Sequence, residues 1–380
     1  MLPVERVRAA FEHQASDRVP VFHAGWSSWA ASVVLGREAW VGGGIQQWRE
    51  ACALWEGPEA HEQFVERSFQ DAMAVSLAAD QDMIRPEYWR YNLKPTRRLD
   101  ERSFLYGDPE GSWEVRRFDP ETELFQAVDH SPRPPVTLDD LERSVESMEA
   151  GIERYRPTRD TFWVYARAQD LHGHEYAIGG GGVGIGIGHT EEWLAAVALR
   201  PDLVARRLDV TAEQAGRNAA VMAELGIPYL RGGGDFAGKH GPMYSPRAFR
   251  ELMVPRLQKV SDACHRVGCY HMFASDGDLW PVADDLFGRS GVDAYYEIDR
   301  LAGMDLRRLR ERFPDLTLVG GIASQTLHLG ARDEVVAQTL DALEAARELG
   351  SIIVGLSNYP LPGTPPENIL AMIETVRDNR

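Results

Sequence analysis

A chain of 380 residues with 44% hydrophobic and 26% charged side chains carries enough apolar material for a full core, which excludes wholesale disorder. Its net charge of −17 supplies no basic face to replace the counterions of a nucleic acid or to sit on an anionic membrane, while leaving room for a local basic pocket. Three irregularly spaced cysteines, Cys52, Cys264 and Cys269, are expected to be reduced thiols, and the lack of an apolar leader or membrane-length stretch makes the cytoplasm the expected location.

Val4, Val7, Ala10 and Phe11 recur with helical period before Ser16-Asp17-Arg18 breaks to a first apolar run, Val19-Pro20-Val21-Phe22. That run stops in His23-Ala24-Gly25-Trp26, groups that either line a mouth or form a buried cluster under a loop. A mostly helical pattern from Ile45 to Ala79 leads to a short second strand around Met83-Ile84, ending at Arg85. Turn signals then punctuate short runs between residues 94 and 130, predicting a small antiparallel β-hairpin insertion within a single domain spanning 1–380.

Helical period returns from Leu138 to Tyr155 behind a Thr-Leu-Asp-Asp cap, and Thr161 to Arg167 reads as a third strand. The glycine run Gly179 to Gly188 contains Gly-x-Gly spacings but lacks the Lys-Ser/Thr of a phosphate loop and a suitably placed acidic partner. It therefore reads as a closely packed or mobile loop. Apolar runs at Val19, Asp82, Thr161, Ile227, Cys269, Asp293, Leu316 and Ser351, separated by helical segments, give the strand count of a (β/α)8 TIM barrel. A doubly wound open sheet is the alternative, weakened by the missing early phosphate-binding turn.

Barrel chemistry sits on the loops after the strands, which collects the candidates by position. Asp235, held behind three glycines, and Asp276 suit general acid/base work; Lys239 and His240, between glycines, could close on an anionic group. The competing readings are an Asx-turn for Asp235, solvated side chains for the last two, and a helix cap for one of Asp276 and Asp278, with Asp276 placed inward. Substrate contacts are expected from His23, Trp26, Arg85, Arg167, Arg231, His271, Glu297, Ser357 and Tyr359, with Glu87, Asp170, Asp299, Ser324, Gln325 and Asn358 at the same strand ends. For His271, strand alternation against Ala274 favours a core or helix-facing position, and a metal site joining it or His240 to Asp276 is the one metal arrangement left open.

Several motifs together resemble the uroporphyrinogen decarboxylase-like superfamily. They are Arg6-Val-Arg-Ala-Ala-Phe-Glu-His-Gln with Asp17-Arg-Val-Pro-Val, the loop Gly234-Asp-Phe-Ala-Gly-Lys-His-Gly-Pro-Met-Tyr-Ser-Pro, Ser275-Asp-Gly-Asp, Gly303-Met-Asp-Leu, Gly320-Gly-Ile-Ala and Pro362-Gly-Thr-Pro-Pro-Glu-Asn-Ile. The resemblance runs over nearly the whole chain and implies a (β/α)8 barrel. It also implies one of two chemistries, cofactor-free decarboxylation or zinc-dependent methyl transfer involving a corrinoid.

The arginine-rich turn by which the decarboxylases hold their polyacidic substrate corresponds here to His23-Ala-Gly-Trp-Ser-Ser, without arginine. The His-x-Cys turn and later Cys of the zinc methyltransferases correspond to Ala274-Ser275-Asp276 and, approximately, Ser357, a poor zinc set. By resemblance the expected function is a methyltransferase or demethylase component acting on a small methylated substrate together with a corrinoid, methylcobalamin, carried by a partner corrinoid protein. A decarboxylase or lyase for a small acid is the alternative, and a non-catalytic tetrapyrrole-binding or corrinoid-binding barrel the third reading. A homodimer is expected from the relatives alone.

Overall fold

A computed structural model describes all residues, 1–380. In chain order its strands are β1 (Met83–Ile84), β2 (Arg97–Arg98), β3 (Ser103–Gly107), β4 (Trp113–Asp119), β5 (Leu124–His130), β6 (Ala177–Gly180), β7 (Tyr229–Gly233), β8 (Ala237–Gly238), β9 (Gly241–Pro242), β10 (Tyr270–Ala274), β11 (Ala294–Tyr296), β12 (Thr317–Ile322) and β13 (Ile352–Leu356). Seven of them form a curled parallel sheet in the order β1-β6-β7-β10-β11-β12-β13, with helices as crossovers. Extended residues Pro20 to Phe22 run beside its last strand: Val354 N donates to Pro20 O and Phe22 N donates to Val354 O, each at 2.9 Å. Asp82 N, next to β1, donates to Val21 O at 2.8 Å.

Alternation along these strands sorts side chains into two layers. Met83, Ala177, Tyr229, Met272, Ala274, Ala294, Tyr296, Val319 and Ile353 pack inside the curl with Phe22, and helix Pro3–Phe11 closes that end with Val7, Ala10 and Phe11. Their neighbours, such as Leu230, Phe273, Tyr295 and Leu318, face outward into the large cluster shared with the helices. A separate antiparallel sheet, β2-β3-β4-β5, covers residues 97–130 and buries Phe104, Tyr106, Phe118 and Phe125 against Ala51 of helix Gly44–Glu56. No helix is long and apolar enough to cross a membrane.

The segment Thr161–Arg167 is not a strand. It lies in a 3-10 turn, Arg159–Phe162, running into helix Trp163–His172, and the strand between β1 and β7 is β6, at the head of the glycine run. The aromatic run favours a strand locally, but the sheet position goes to Ala177–Gly180, where a Cβ on Gly180 would sit 2.8 Å from Leu230 Cδ2. A Cβ on Gly232 would sit 2.3 Å from Val183 O, and one on Gly234 would sit 2.1 Å from Ile185 O. Ile185 N donates to Gly233 O at 3.0 Å, so these glycines serve backbone-on-backbone packing.

Candidate active site

Four strand ends bring carboxylates and an amide together. After β7, Gly234 N donates to Ala274 O at 3.2 Å, and this places Asp235 so that its Oδ1 accepts from Asp276 N at 3.3 Å. After β10 the chain turns through Gly277 at φ +90°, where a Cβ would meet Gly238 O at 2.6 Å; Asp278 N donates to that oxygen at 3.0 Å. Asp278 turns outward and accepts from Trp280 N at 3.0 Å, leaving Asp276 to face the mouth. After β13, Asn358 Nδ2 donates to Asp276 Oδ2 at 3.0 Å. After β11, Glu297 adopts φ +65°, a left-handed conformation that costs a non-glycine residue about 1 kcal/mol or more and is held here by its neighbours. Tyr296 Oη fixes that turn by donating to Gly232 O at 2.9 Å. Asp299 is a bracket: its Oδ1 accepts from Leu301 N and Ala302 N, each at 3.1 Å, and its Oδ2 from Gly277 N at 3.2 Å.

Two of these groups, Asp276 and Glu297, titrate well above ordinary carboxylates. Burial first, then the charges of Asp235 and Asp299, push Asp276 up to about 6, with the Asn358 bond working the other way. Burial again, then Asp276 and Asp235, push Glu297 up to about 8, partly offset by Arg85 and Arg231. Glu297 is therefore mostly a neutral acid at pH 7, and Asp276 sits close enough to exchange a proton there. Such a set can deliver protons to a substrate and take them back.

The other wall comes from β1 and β7. Arg85 follows Ile84 at an inward position, and its guanidinium lies 4.8 Å from the Tyr88 ring centroid and 4.9 Å from that of Trp89. Tyr359 meets Trp89 edge-on at 5.2 Å, and a Cβ on Gly25 would sit 3.0 Å from Tyr359 Cβ and 3.7 Å from Arg85 Nη1. Arg231, two residues after inward Tyr229, reaches Gly179 O with Nη2 at 3.2 Å. Tyr88 and Tyr296 carried only a weak signal in the sequence, the inward register of Tyr296 with Ala294.

Several expected contacts are corrected by the packing. Arg167 points from helix Trp163–His172 to Glu66 of helix Pro58–Ala78, at 2.5 and 2.9 Å, and Asp170 pairs with Arg159 on the surface. His271 shares the outward register of Phe273; Ser261 Oγ of helix Val254–Arg266 lies 2.9 Å from its Nδ1, and burial lowers it to about 3, so it neither contacts substrate nor joins Asp276 at a metal. Trp26 is fully buried against His23, whose Nδ1 accepts from Leu356 N at 3.3 Å; both are core groups behind the mouth. Ser357 Oγ is used by Ser324 N at 3.2 Å. Lys239 and His240 are exposed on the β8-β9 hairpin at the rim, with no hydrogen bond to the carboxylates.

The family model for uroporphyrinogen decarboxylase (URO-D) matches residues 177–379. The chain belongs to the uroporphyrinogen decarboxylase family. That URO-D match takes in Arg231, Asp235, Asp276, Glu297 and Asn358, while His23 and Arg85 lie before it. A uroporphyrinogen decarboxylase of Anaeromyxobacter sp. (strain Fw109-5) is 28% identical over 129 residues, which is 33% of this chain and 35% of that protein. The match thus spans about a third of the relative's length. A methyltransferase from Methanosarcina mazei has a solved structure alike over 100% of this chain and 99% of its own, with a TM-score of 0.63 at 19% identity, a likeness of fold.

Zinc, which the methyltransferase side of the URO-D-like superfamily implies, does not fit the residues present. The turn after β10 offers Ala274, Ser275 and one carboxylate, and no three His, Cys, Asp or Glu groups are placed to hold a metal ion. Cys264 and Cys269 are buried in the helix layer, where burial raises their thiols to about 12 and about 11. Cys52 lies on helix Gly44–Glu56 against the antiparallel sheet.

Proposed function

We propose that this URO-D family chain is an acid–base enzyme that acts without zinc on a small acid, most simply as a decarboxylase of the carbon–carbon lyase type. The observation that carries the reading is the convergence of Asp235, Asp276 and Glu297 on the ends of three neighbouring strands, β7, β10 and β11. In the proposed step the bond to the departing carboxylate breaks with its electron pair left on carbon. A proton from Glu297 or Asp276 ends on that carbon, carbon dioxide leaves, and a solvent proton resets the acid. Asp235 orients Asp276 through the backbone N–H, and Asn358 orients its carboxylate. The hydrogen bonds of Pro20 to Phe22 to both edges of the sheet support reading that segment as an eighth strand closing a (β/α)8 barrel around this site.

Methyl transfer to a corrinoid carried by a partner protein is the second reading, because the same neutral acids would protonate the heteroatom that loses its methyl group. The two separate in one assay. Purified protein is incubated with a panel of small carboxylic acids and methyl ethers in deuterated buffer, with and without free cobalamin kept as cob(I)alamin by a chemical reductant. Carbon dioxide release with deuterium in the product, needing no corrinoid and abolished by Asp276→Asn and Glu297→Gln, is the expected result. Turnover only with cobalamin, with methylcobalamin as product, replaces the first reading by the second.

A further inference from the structure

Two arginines stand in the curl of the sheet with no carboxylate to answer them. Arg85 and Arg231 share the inward register of Met83 and Tyr229 on β1 and β7, and Arg231 is only 8% exposed. The hydrogen bonds they make go to carbonyl oxygens: Arg85 to Glu87 O at 2.8 Å and Ala24 O, and Arg231 to Gly179 O. Arg231 Nε is buried without a partner. Two other well-buried arginines have carboxylate partners, while Arg310 has only carbonyls, five of them, around a buried Nε that is itself without a partner. Arg6 pairs with Asp17 and Asp82, Arg380 with Asp80 and Asp82, and Arg310 is ringed by the carbonyls of Phe313, Pro314, Leu316, Gly350 and Ser351.

Burial and the neighbouring Arg231 both work against the charge on Arg85. Glu87 and Glu297 feel both cations without pairing with either, and are themselves held toward the neutral form by burial. Tyr88, stacked under Arg85, has its hydroxyl buried with no partner and is 6% exposed. A buried cation without a counter-ion is strongly unfavourable, and a second cation on the same inner wall, close enough for each to feel the other's charge, makes it worse, so the arrangement suits an anion.

We propose that Arg85, Arg231 and Tyr88 form the subsite for one compact carboxylate of the substrate. This rests on the acid–base reading above and deepens it: the group held here is the end that stays, while the reacting carbon faces Asp276 and Glu297. Guanidinium forks suit a planar carboxylate, and Tyr88 adds a third donor. A phosphate dianion would lie opposite Asp235, Asp276 and Glu297 and be repelled by any of them that is ionised, so a monoanion is selected.

The test is thermal unfolding of the full chain with sodium acetate, propionate, malonate, succinate or benzoate, against sodium phosphate and chloride at equal ionic strength. At least one carboxylate raises the wild-type melting temperature above chloride. Arg231→Met raises the ligand-free melting temperature and weakens that carboxylate's apparent affinity by about tenfold or more. Arg85→Met is the second variant, should Arg231→Met fail to fold. The proposal is overturned if no carboxylate exceeds chloride, if phosphate protects better than every carboxylate, if protection survives both arginine replacements, or if both lower the ligand-free stability. Asp276→Asn keeps the carboxylate effect. Carboxylate binding without any proton chemistry therefore sinks the acid–base reading alone, and proton chemistry in a protein indifferent to carboxylates sinks the subsite alone.

Discussion

Asn358 Nδ2 donates to Asp276 Oδ2 across 3.0 Å, joining the end of the last parallel strand to a carboxylate after β10. This side-chain hydrogen bond favours the ionised form of Asp276 against burial and the charges of Asp235 and Asp299. Asn358→Leu removes that support, so the Asp276 midpoint moves upward from about 6, and the alkaline side of the activity profile moves with it. Carbon-13 titration of the carboxyl group checks this; an unchanged or lower midpoint contradicts it.

Glu297 links the same site to stability. Its carboxyl is raised from 4.5 to about 8, so between those values the folded chain binds more proton than the unfolded one. Stability therefore falls as pH rises through that window, and the loss is complete above the folded value. Glu297→Gln removes the penalty: its melting temperature exceeds the wild type by several degrees at about pH 9 and converges with it near about pH 4. A variant less stable than wild type at the alkaline end is the contrary outcome, read by calorimetry across pH.

Packing of the glycines makes a sharper contrast. Gly232→Ala would drive a Cβ to 2.3 Å from Val183 O, where backbone meets backbone and neither side chain can swing away. A loss of about 3 kcal/mol or more is expected, with most activity gone because Asp235 shifts. Gly238→Ala has nothing within 4 Å of the new Cβ and changes stability by less than about 0.5 kcal/mol. Urea unfolding of the pair measures both.

The loop carrying Arg85 and Tyr88 is anchored from outside the site. Glu50, fully buried, accepts from Arg90 Nε at 2.9 Å and Tyr91 N at 3.0 Å, with His61 Nε2 at 3.1 Å. Glu50→Leu leaves Arg90 unanswered, costing about 3 to 5 kcal/mol, and raises KM more than it lowers kcat. Equal falls in kcat/KM and kcat would count against an anchoring role.

His271 gives the control for the corrected contacts. His271→Ala breaks the contact with Ser261 and opens the helix layer, so about 2 kcal/mol of stability is lost while turnover per folded molecule stays unchanged. Loss of turnover without loss of stability would return His271 to the site.

By itself the sequence marked most of the strand ends and the carboxylates that stand on them. Apolar runs that stop in glycine and carboxylate located Asp235 and Asp276, and alternation against Ala274 turned His271 toward the helices, because these signals lie within a few residues of one another. What depended on distant chain was decided only by the tertiary structure. Thr161 to Arg167 has the side chains of a strand, yet β6 lies at the head of the glycine run, where a Cβ on Gly180 would sit 2.8 Å from Leu230 Cδ2. Likewise, the Asn358 contact with Asp276, the Tyr296 bond to Gly232 and the placing of Arg85 and Arg231 on one inner wall join residues far apart in sequence. No local pattern encodes such meetings, since they follow from strand order and register.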